Sequence, residues 1–295
     1  MKRTASILLI LLTFTVVRAQ ECFTKAYEEA QSLFEQGLYQ DAYNWFELAG
    51  KCSDVPTSND LPNRLTACLD KINDTNTPLS AIQDELDDMV FVEGGTFTMG
   101  ATPEQLREAY EDEKPAREVT VESFFMGRRE VSQRLWRLVM GKNPSKNVAD
   151  SLPVEQVSWN DCKRFVDTLC ILTGMRYSLP TEAQWEYAAR GGKLSQGYKY
   201  SGSNNLYEVG WFIGNATNLT RRMGLLKPNE LGIYDMSGNV AEWCLSLYNQ
   251  ESGSHRSFRG GNYGSMDRYC RNAMRNRSLA AFQFPGCGLR LVRLP

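Results

Sequence analysis

Histidine is nearly missing from this chain: His255 is the only one in 295 residues. That single count excludes three-histidine iron sites and helical two-histidine zinc sites, and it nearly excludes histidine-based catalytic triads, for which His255 alone is available. Other absences narrow the field further. No Cys-x-x-Cys pair occurs, which argues against a zinc ribbon. No glycine-rich phosphate loop follows a strand, which argues against a nucleotide enzyme. No internal apolar run is long enough to cross a bilayer. The net charge of −2, from 33 basic and 35 acidic residues, gives no sign of a nucleic-acid partner.

The charge is unevenly spread. Residues 20–90 hold 14 acidic and 4 basic residues, whereas residues 259–295 hold 7 arginines and 1 aspartate. An arginine-rich tail reads in two ways. The side chains can cap carbonyls and pair with acids inside a loop-rich fold, or they can form an anion-friendly, peptide-binding surface.

The first 19 residues read as a secretory signal. Lys2 and Arg3 precede the short apolar stretch Ile7–Val17, and Val17-Arg18-Ala19 fits a small-residue cleavage site before Gln20. Ala19-Gln20-Glu21 is a poor lipidation box for Cys22. The expected product is an exported protein, periplasmic or secreted, without a transmembrane segment. In an oxidising compartment the eight cysteines should be largely paired, and Cys52 with Cys22 or Cys68 could staple the N-terminal region.

Apolar spacing predicts helices over 23–35, 40–49 and 61–72. Residues 20–75 form a helical segment whose Gly37-Leu-Tyr-Gln-Asp-Ala42 stretch resembles a tetratricopeptide repeat, but with only one and a half repeats it calls for support from elsewhere. Asp74–Pro78 reads as a turn and 76–88 as an acidic linker. The main domain, 89–295, opens with strands at Phe91–Val92 and Thr96–Thr98 around Gly94-Gly95, and a further strand-like run spans Val119–Met126. Helix starts are expected at Thr102, Ser132, Ser158 and Thr181, each with a capping hydroxyl. Trp136, Trp159, Trp185 and Trp243 read as core residues. Beyond 191 the chain is rich in glycine, asparagine, serine and aromatics, with little periodicity.

Five blocks carry a family resemblance: Phe91–Gly100, Leu179–Gly192, Leu231–Ser237, Gly238–Trp243, and Arg259–Arg275 together with Gly288–Leu294. In this order and spacing they resemble the formylglycine-generating enzymes, or sulfatase-modifying factors, over roughly 89–294. The resemblance implies an α+β, C-type-lectin-like fold with sparse regular secondary structure, here preceded by a small α-helical hairpin segment. The single histidine sets the chain apart from the sulfoxide synthases that share this fold.

The oxidases of the family bind Cu(I) between two cysteines five residues apart and convert a substrate cysteine to formylglycine. Position by position, the second cysteine falls on Cys270 and the first on Ser265, while an active-site serine falls on Asn262. A hydroxyl is a poor ligand for a soft ion, so copper binding is not expected. Cys270 is then either a lone thiol or disulfide-bonded, to Cys244 or Cys287 for instance. The resemblance also implies a calcium site at the turn Ser237–Glu242, with the carbonyls of Ser237, Gly238 and Val240 and the carboxylate of Glu242 as hard oxygen ligands; the alternative is a calcium-free turn with Glu242 paired to an arginine. Two function classes stay open. One is a binding or envelope-assembly module for a protein, peptide or glycan. The other is an enzyme, either the formylglycine-generating oxidase or a catalyst of another oxidation on the same fold.

Overall fold

The computed structural model describes residues 22–294, apart from 38, 53–54, 57, 75–78 and 250–252. The signal segment, its cleavage site and the turn at Asp74–Pro78 lie wholly or mostly outside these residues. The chain divides into two units, residues 1–77 and 78–295.

In the first unit, helix α1 (22–35), α2 (Tyr39–Gly50) and α3 (Leu61–Asp74) surround a small core. Ala26, Ala30, Ala42 and Ala49 are buried there with Phe46 and Cys68. Their small side chains let the helix backbones approach closely, while Phe46 fills the space between them. Cys22 and Cys52 form a disulfide that closes a 30-residue span.

The second unit begins earlier than the sequence suggests. Residues 79–86 are not part of a linker but form helix α4 (Leu79–Leu86), whose Ile82 and Leu86 are buried in the main core. The acidic residues between these two apolar positions hide the helix in composition, although the spacing of four places Ile82 and Leu86 on one face. Thr102 does not start an α-helix either. Its segment makes turns and a single 3-10 turn at Leu106–Glu108.

The other helix starts hold. Ser132 Oγ accepts the N–H of Leu135 at 2.9 Å to open α5 (Gln133–Met140), which ends on left-handed Gly141. Ser158 and Asp161 form a capping box for α6 (Trp159–Thr173), and Thr181 and Gln184 do the same for α7 (Glu182–Ala189).

Strands β1 (Met89–Val92) and β2 (Gly95–Met99) flank Gly94 but do not pair. The strand-like run from Val119 breaks at 122–123, giving β3 (Arg117–Val121) and β4 (Phe124–Gly127). Consequently β2 and β3 form a two-stranded sheet, while β1 and β4 join β5 (Tyr177–Ser178) and β10 (Val292–Arg293) in the order β1-β4-β10-β5. The last strand of the chain thus closes the first sheet. A second four-stranded sheet has the order β8-β7-β6-β9, built from β6 (Ala241–Leu247), β7 (His255–Arg259), β8 (Asn276–Leu279) and β9 (Cys287–Gly288).

Two apolar cores result. One joins α4, α5 and α6 around Trp136, stacked on Phe165 at 4.9 Å, and reaches Trp243. The other sets α7, with Trp185 and Tyr187, against Phe124, Met126 and Ile233. Trp159 is half-buried, with the Arg256 guanidinium 3.9 Å above its ring.

The arginine-rich tail largely turns inward. Arg259, Arg271 and Arg290 are fully buried. Arg259 donates to Glu182 and Glu186 at 2.9 and 2.8 Å and to the carbonyls of Asn272 and Met274. Arg275 adds two bonds to Glu182. Burial by itself pushes the Glu182 carboxyl up, but Arg259 and Arg275 hold it below its ordinary value.

Arg259→Ala removes a fully buried partner from two carboxylates, leaving Glu182 to Arg275 and Glu186 to Arg190, and should cost about 3 kcal/mol in urea unfolding. Because the folded pKa of Glu182 is lowered, its contribution to stability is present above the ordinary carboxylate range and is lost as pH falls through the lowered value. Urea melts from about pH 6 to about pH 3 should show this acid loss in the wild type, and a Glu182→Gln variant should lose less over the same window.

Candidate functional site

The residues expected at the reactive centre are only partly brought together. Asn262 and Ser265 close a tight turn on each other. The Asn262 N–H donates to Ser265 Oγ at 2.9 Å, and the Ser265 hydroxyl and the Gly264 N–H donate back to Asn262 Oδ1 at 3.1 and 3.0 Å. The Asn262 amide nitrogen lies against Gly286, where an added Cβ would sit 2.7 Å from it.

Cys270 points elsewhere. It is fully buried with Tyr200, Leu206, Val209 and Phe212 in a small apolar cluster. Its nearest polar partner is the carbonyl of Met266 at 3.9 Å. Burial, with Asp267 a lesser cause, pushes its thiol far above the ordinary range.

Cys270 is not disulfide-bonded, and Cys244 and Cys287 lie in the two other cores. The expectation of near-complete pairing is therefore overturned. Cys22–Cys52 is the one disulfide, and six thiols remain, of which Cys170 is half-buried and the rest are buried. The physical reason is distribution, since each main-domain cysteine fills an apolar niche as a small hydrophobe.

A cleft opens beside the Asn262 turn. It holds about 350 Å³ and is walled by Asn147, Asn218, Leu219, Asn262, Tyr263 and Pro285. Glu155 lies beneath, buried, and accepts the Gly286 N–H at 2.6 Å and the Lys146 N–H at 3.2 Å. Tyr263 faces it, and burial beside this carboxylate pushes the phenol up to about 12. The lining is mainly amide, hydroxyl and backbone, which suits a ligand held by hydrogen bonds.

The turn Ser237–Glu242 is clamped from several sides. Gly238 has φ +106°, and a Cβ there would lie 2.2 Å from the Trp211 carbonyl. The Ser237 carbonyl packs against Gly210 so closely that a Cβ on Gly210 would lie 1.8 Å away. Val240 is buried. The Glu242 carboxylate is taken by Arg290, at 2.6 and 3.1 Å, and by Trp185 Nε1 at 2.6 Å.

Two acids that the sequence reading passed over lie nearby. Glu130 and Asp235 are buried, and Glu130 Oε2 and Asp235 Oδ1 have no hydrogen-bond partner among the described residues. Glu130 Oε1 accepts from Asn239 at 3.0 Å, and Asp235 Oδ2 accepts the Gly224 N–H at 2.6 Å. Burial, and then the charge of Asp235, raises Glu130 well above the carboxylate range, while burial raises Asp235 to about 6. Orphaned buried carboxylate oxygens next to a turn of backbone carbonyls fit a hard cation. Asp235 stands inside the block Leu231–Ser237, two residues before the turn, where its position in the sequence already signals a carboxylate at this site.

The description "Sulfatase-modifying factor enzyme 1-like domain" matches residues 75–295. The chain belongs to this family. Among its relatives is the chaperone protein LppX of Paenibacillus barcinonensis, 33% identical over 260 aligned positions, covering 70% of this chain and 89% of LppX. An inactive C-alpha-formylglycine-generating enzyme 2 of Bos taurus is 32% identical over 145 positions, covering 45% of this chain and 46% of that protein. The solved structure of Treponema denticola variable protein 1 superposes with a TM-score of 0.64 at 26% identity, covering 70% of this chain and 95% of that one. The fold is thus the α+β fold of the formylglycine-generating enzymes, preceded by N-terminal helices.

The thiol burial can be checked by titration with a chromogenic disulfide. The native protein should react slowly and at most through Cys170, and six thiols should appear on unfolding in urea. Rapid labelling of Cys270 in the native protein would contradict this placement.

Proposed function

We propose that this chain is an exported, non-oxidase member of the family. Its cleft beside Asn262 binds a peptide, protein segment or glycan. The observation that carries the reading is the pair Ser265 and Cys270: one thiolate donor is a hydroxyl bonded to Asn262, and the other is a thiol buried in an apolar cluster. Formylglycine generation needs a soft two-thiolate site, and these two residues do not supply one. Relatives named as a chaperone and as an inactive enzyme support a role in binding. The N-terminal helices form a repeat-like helical unit of their own.

Two measurements test this reading. The unmodified protein should bind Cu(I) weakly in competition with a chromogenic chelator, and mass spectrometry should find no formylglycine in a sulfatase-type cysteine peptide incubated with it in air. Because Cys270 is buried away from the Ser265–Asn262 turn, Ser265→Cys alone should leave copper binding weak and yield no formylglycine. Peptide and glycan arrays supply the second test. Pro285→Trp fills the cleft and should abolish array binding while leaving the melting temperature unchanged. Formylglycine made by the unmodified protein, or array binding unaffected by Pro285→Trp, would reject the proposal.

Calcium belongs to the same proposal. Asp235 and Glu130 would hold the ion beside the Ser237–Glu242 turn, while Glu242 stays with Arg290. Bound calcium would neutralise the two buried acids and brace the turn. At a hundredfold excess of calcium over Kd the stabilisation is about 2.7 kcal/mol, or roughly 5–10 °C for a domain of this size. A chelator should remove this increment, and Asp235→Asn should make the melting temperature insensitive to calcium. A wild-type melting temperature indifferent to both chelator and calcium would remove the ion from the proposal.

A further inference from the structure

Two loops run side by side between the cleft and a second surface hollow. Lys146 and Asn147 share the cleft wall with Asn218, Leu219 and Thr220, and Asn147 Nδ2 donates to Thr220 Oγ1 at 3.1 Å. Further along, Asp150 and Ser151 share the walls of the second hollow with Arg222, Met223, Gly224 and Leu225. The two segments, 141–150 and 217–227, therefore present one continuous surface.

That surface combines two properties. Its aliphatic side chains stand in solvent: Val148 is 67% exposed, Leu219 46% and Leu225 59%. Its charge is of one sign. The two segments carry Lys142, Lys146, Arg221, Arg222 and Lys227 against Asp150 alone, in a chain whose net charge is −2. Asp150 is neutralised by Arg137 through two hydrogen bonds. Arg221 is turned back onto the Ala216 carbonyl and the Trp211 ring. Lys142, Lys146, Arg222 and Lys227 are exposed and form no ion pair among the described residues. Glu208, whose carbonyl receives the Lys227 N–H, spends its carboxylate on Ser203 and Asn205.

Exposed aliphatics interleaved with free cations match the chemistry of an anionic lipid surface, where apolar side chains enter the acyl boundary and basic ones meet headgroup phosphates. Neither segment contains an aromatic residue. The patch therefore lacks the stacking platforms of single-stranded nucleic-acid binders and the Trp and Tyr anchors of protein interfaces. We infer that this face docks the protein on an anionic membrane surface, through Leu219, Leu225 and Val148 as shallow apolar contacts and Lys146, Arg222 and Lys227 as headgroup contacts. Lys146 and Leu219 belong to the cleft wall as well, so the docking face borders the proposed ligand site.

Vesicle co-sedimentation of the full exported chain tests this. Phosphatidylglycerol-containing vesicles should bind it, pure phosphatidylcholine vesicles should not, and added salt should weaken the binding. Each cation near the surface is worth about fivefold in affinity, so Arg222→Glu with Lys227→Glu should lower binding on the order of 25-fold or more. Leu225→Ser should lower it about tenfold. These side chains are exposed, so thermal melts of the variants should match the wild type. As a second readout, an environment-sensitive fluorophore on Leu225→Cys should shift to the blue only with anionic vesicles. Equal binding to neutral and anionic vesicles, no loss in the charge-reversed variant, no fluorophore shift, or a protein partner that occupies the patch while vesicles do not bind would each overturn the inference.

Discussion

The main domain depends on guanidinium groups taken out of water. Arg259, Arg271 and Arg290 are fully buried, and each joins segments that are distant in sequence. Arg290, near the C-terminus, ties Glu242 to the carbonyls of Gly127 and Tyr234. Arg271 binds both oxygens of Glu113 and the carbonyl of Glu108. A planar five-donor group can satisfy several acceptors at fixed angles, which a lysine cannot do. In a domain whose second half is mostly loop, such nodes supply the cross-links that longer strands and helices would otherwise provide. Each pair is costly to desolvate and costlier to break, so these nodes fix the geometry of a domain whose stability comes mainly from its apolar cores.

The site inherits its rigidity from these nodes. Arg290 and Trp185 fix Glu242, which sits at the end of the Ser237–Glu242 turn, and Asn239 within the turn bonds Glu130 and receives the Arg221 N–H. The backbone of Asn239 also accepts the Tyr263 N–H, which carries the constraint into the cleft wall. A pre-formed polar cleft of this kind loses little order on binding. The altered cysteine position has its own local logic. Ser265 does not merely lack a thiolate: its hydroxyl completes the turn with Asn262, so the two departures from the oxidase pattern depend on each other.

Much of this was legible in the sequence. Ser132, Ser158 and Thr181 announced their helices because a capping hydroxyl and its partner lie within one turn and answer to local physics alone. The five blocks marked the fold, and Ser265 stands where the resemblance implies a cysteine. What escaped depends on contacts far apart in the chain. Val292 pairs with Met126 and Ser178, a register that no local pattern shows. Helix α4 hid behind its acidic residues. Thr102 had the features of a helix start without the apolar stripe needed to anchor one. Glu130 stands outside the five blocks, and only the fold places it beside Asp235.

The cysteines divide the molecule by chemistry. The first unit is closed by a disulfide between its first helix and the end of its second, while the second unit keeps five thiols sealed among apolar side chains or half-sealed at Cys170. If the chain is exported, as proposed above, this turns folding into a race. The large domain must finish packing before an oxidant reaches its sulfurs, because an early cross-link from Cys244 or Cys270 to Cys162 or Cys287 would join residues that belong in different cores. The small unit gains from oxidation, and the large one is protected from it only by the order in which its walls close.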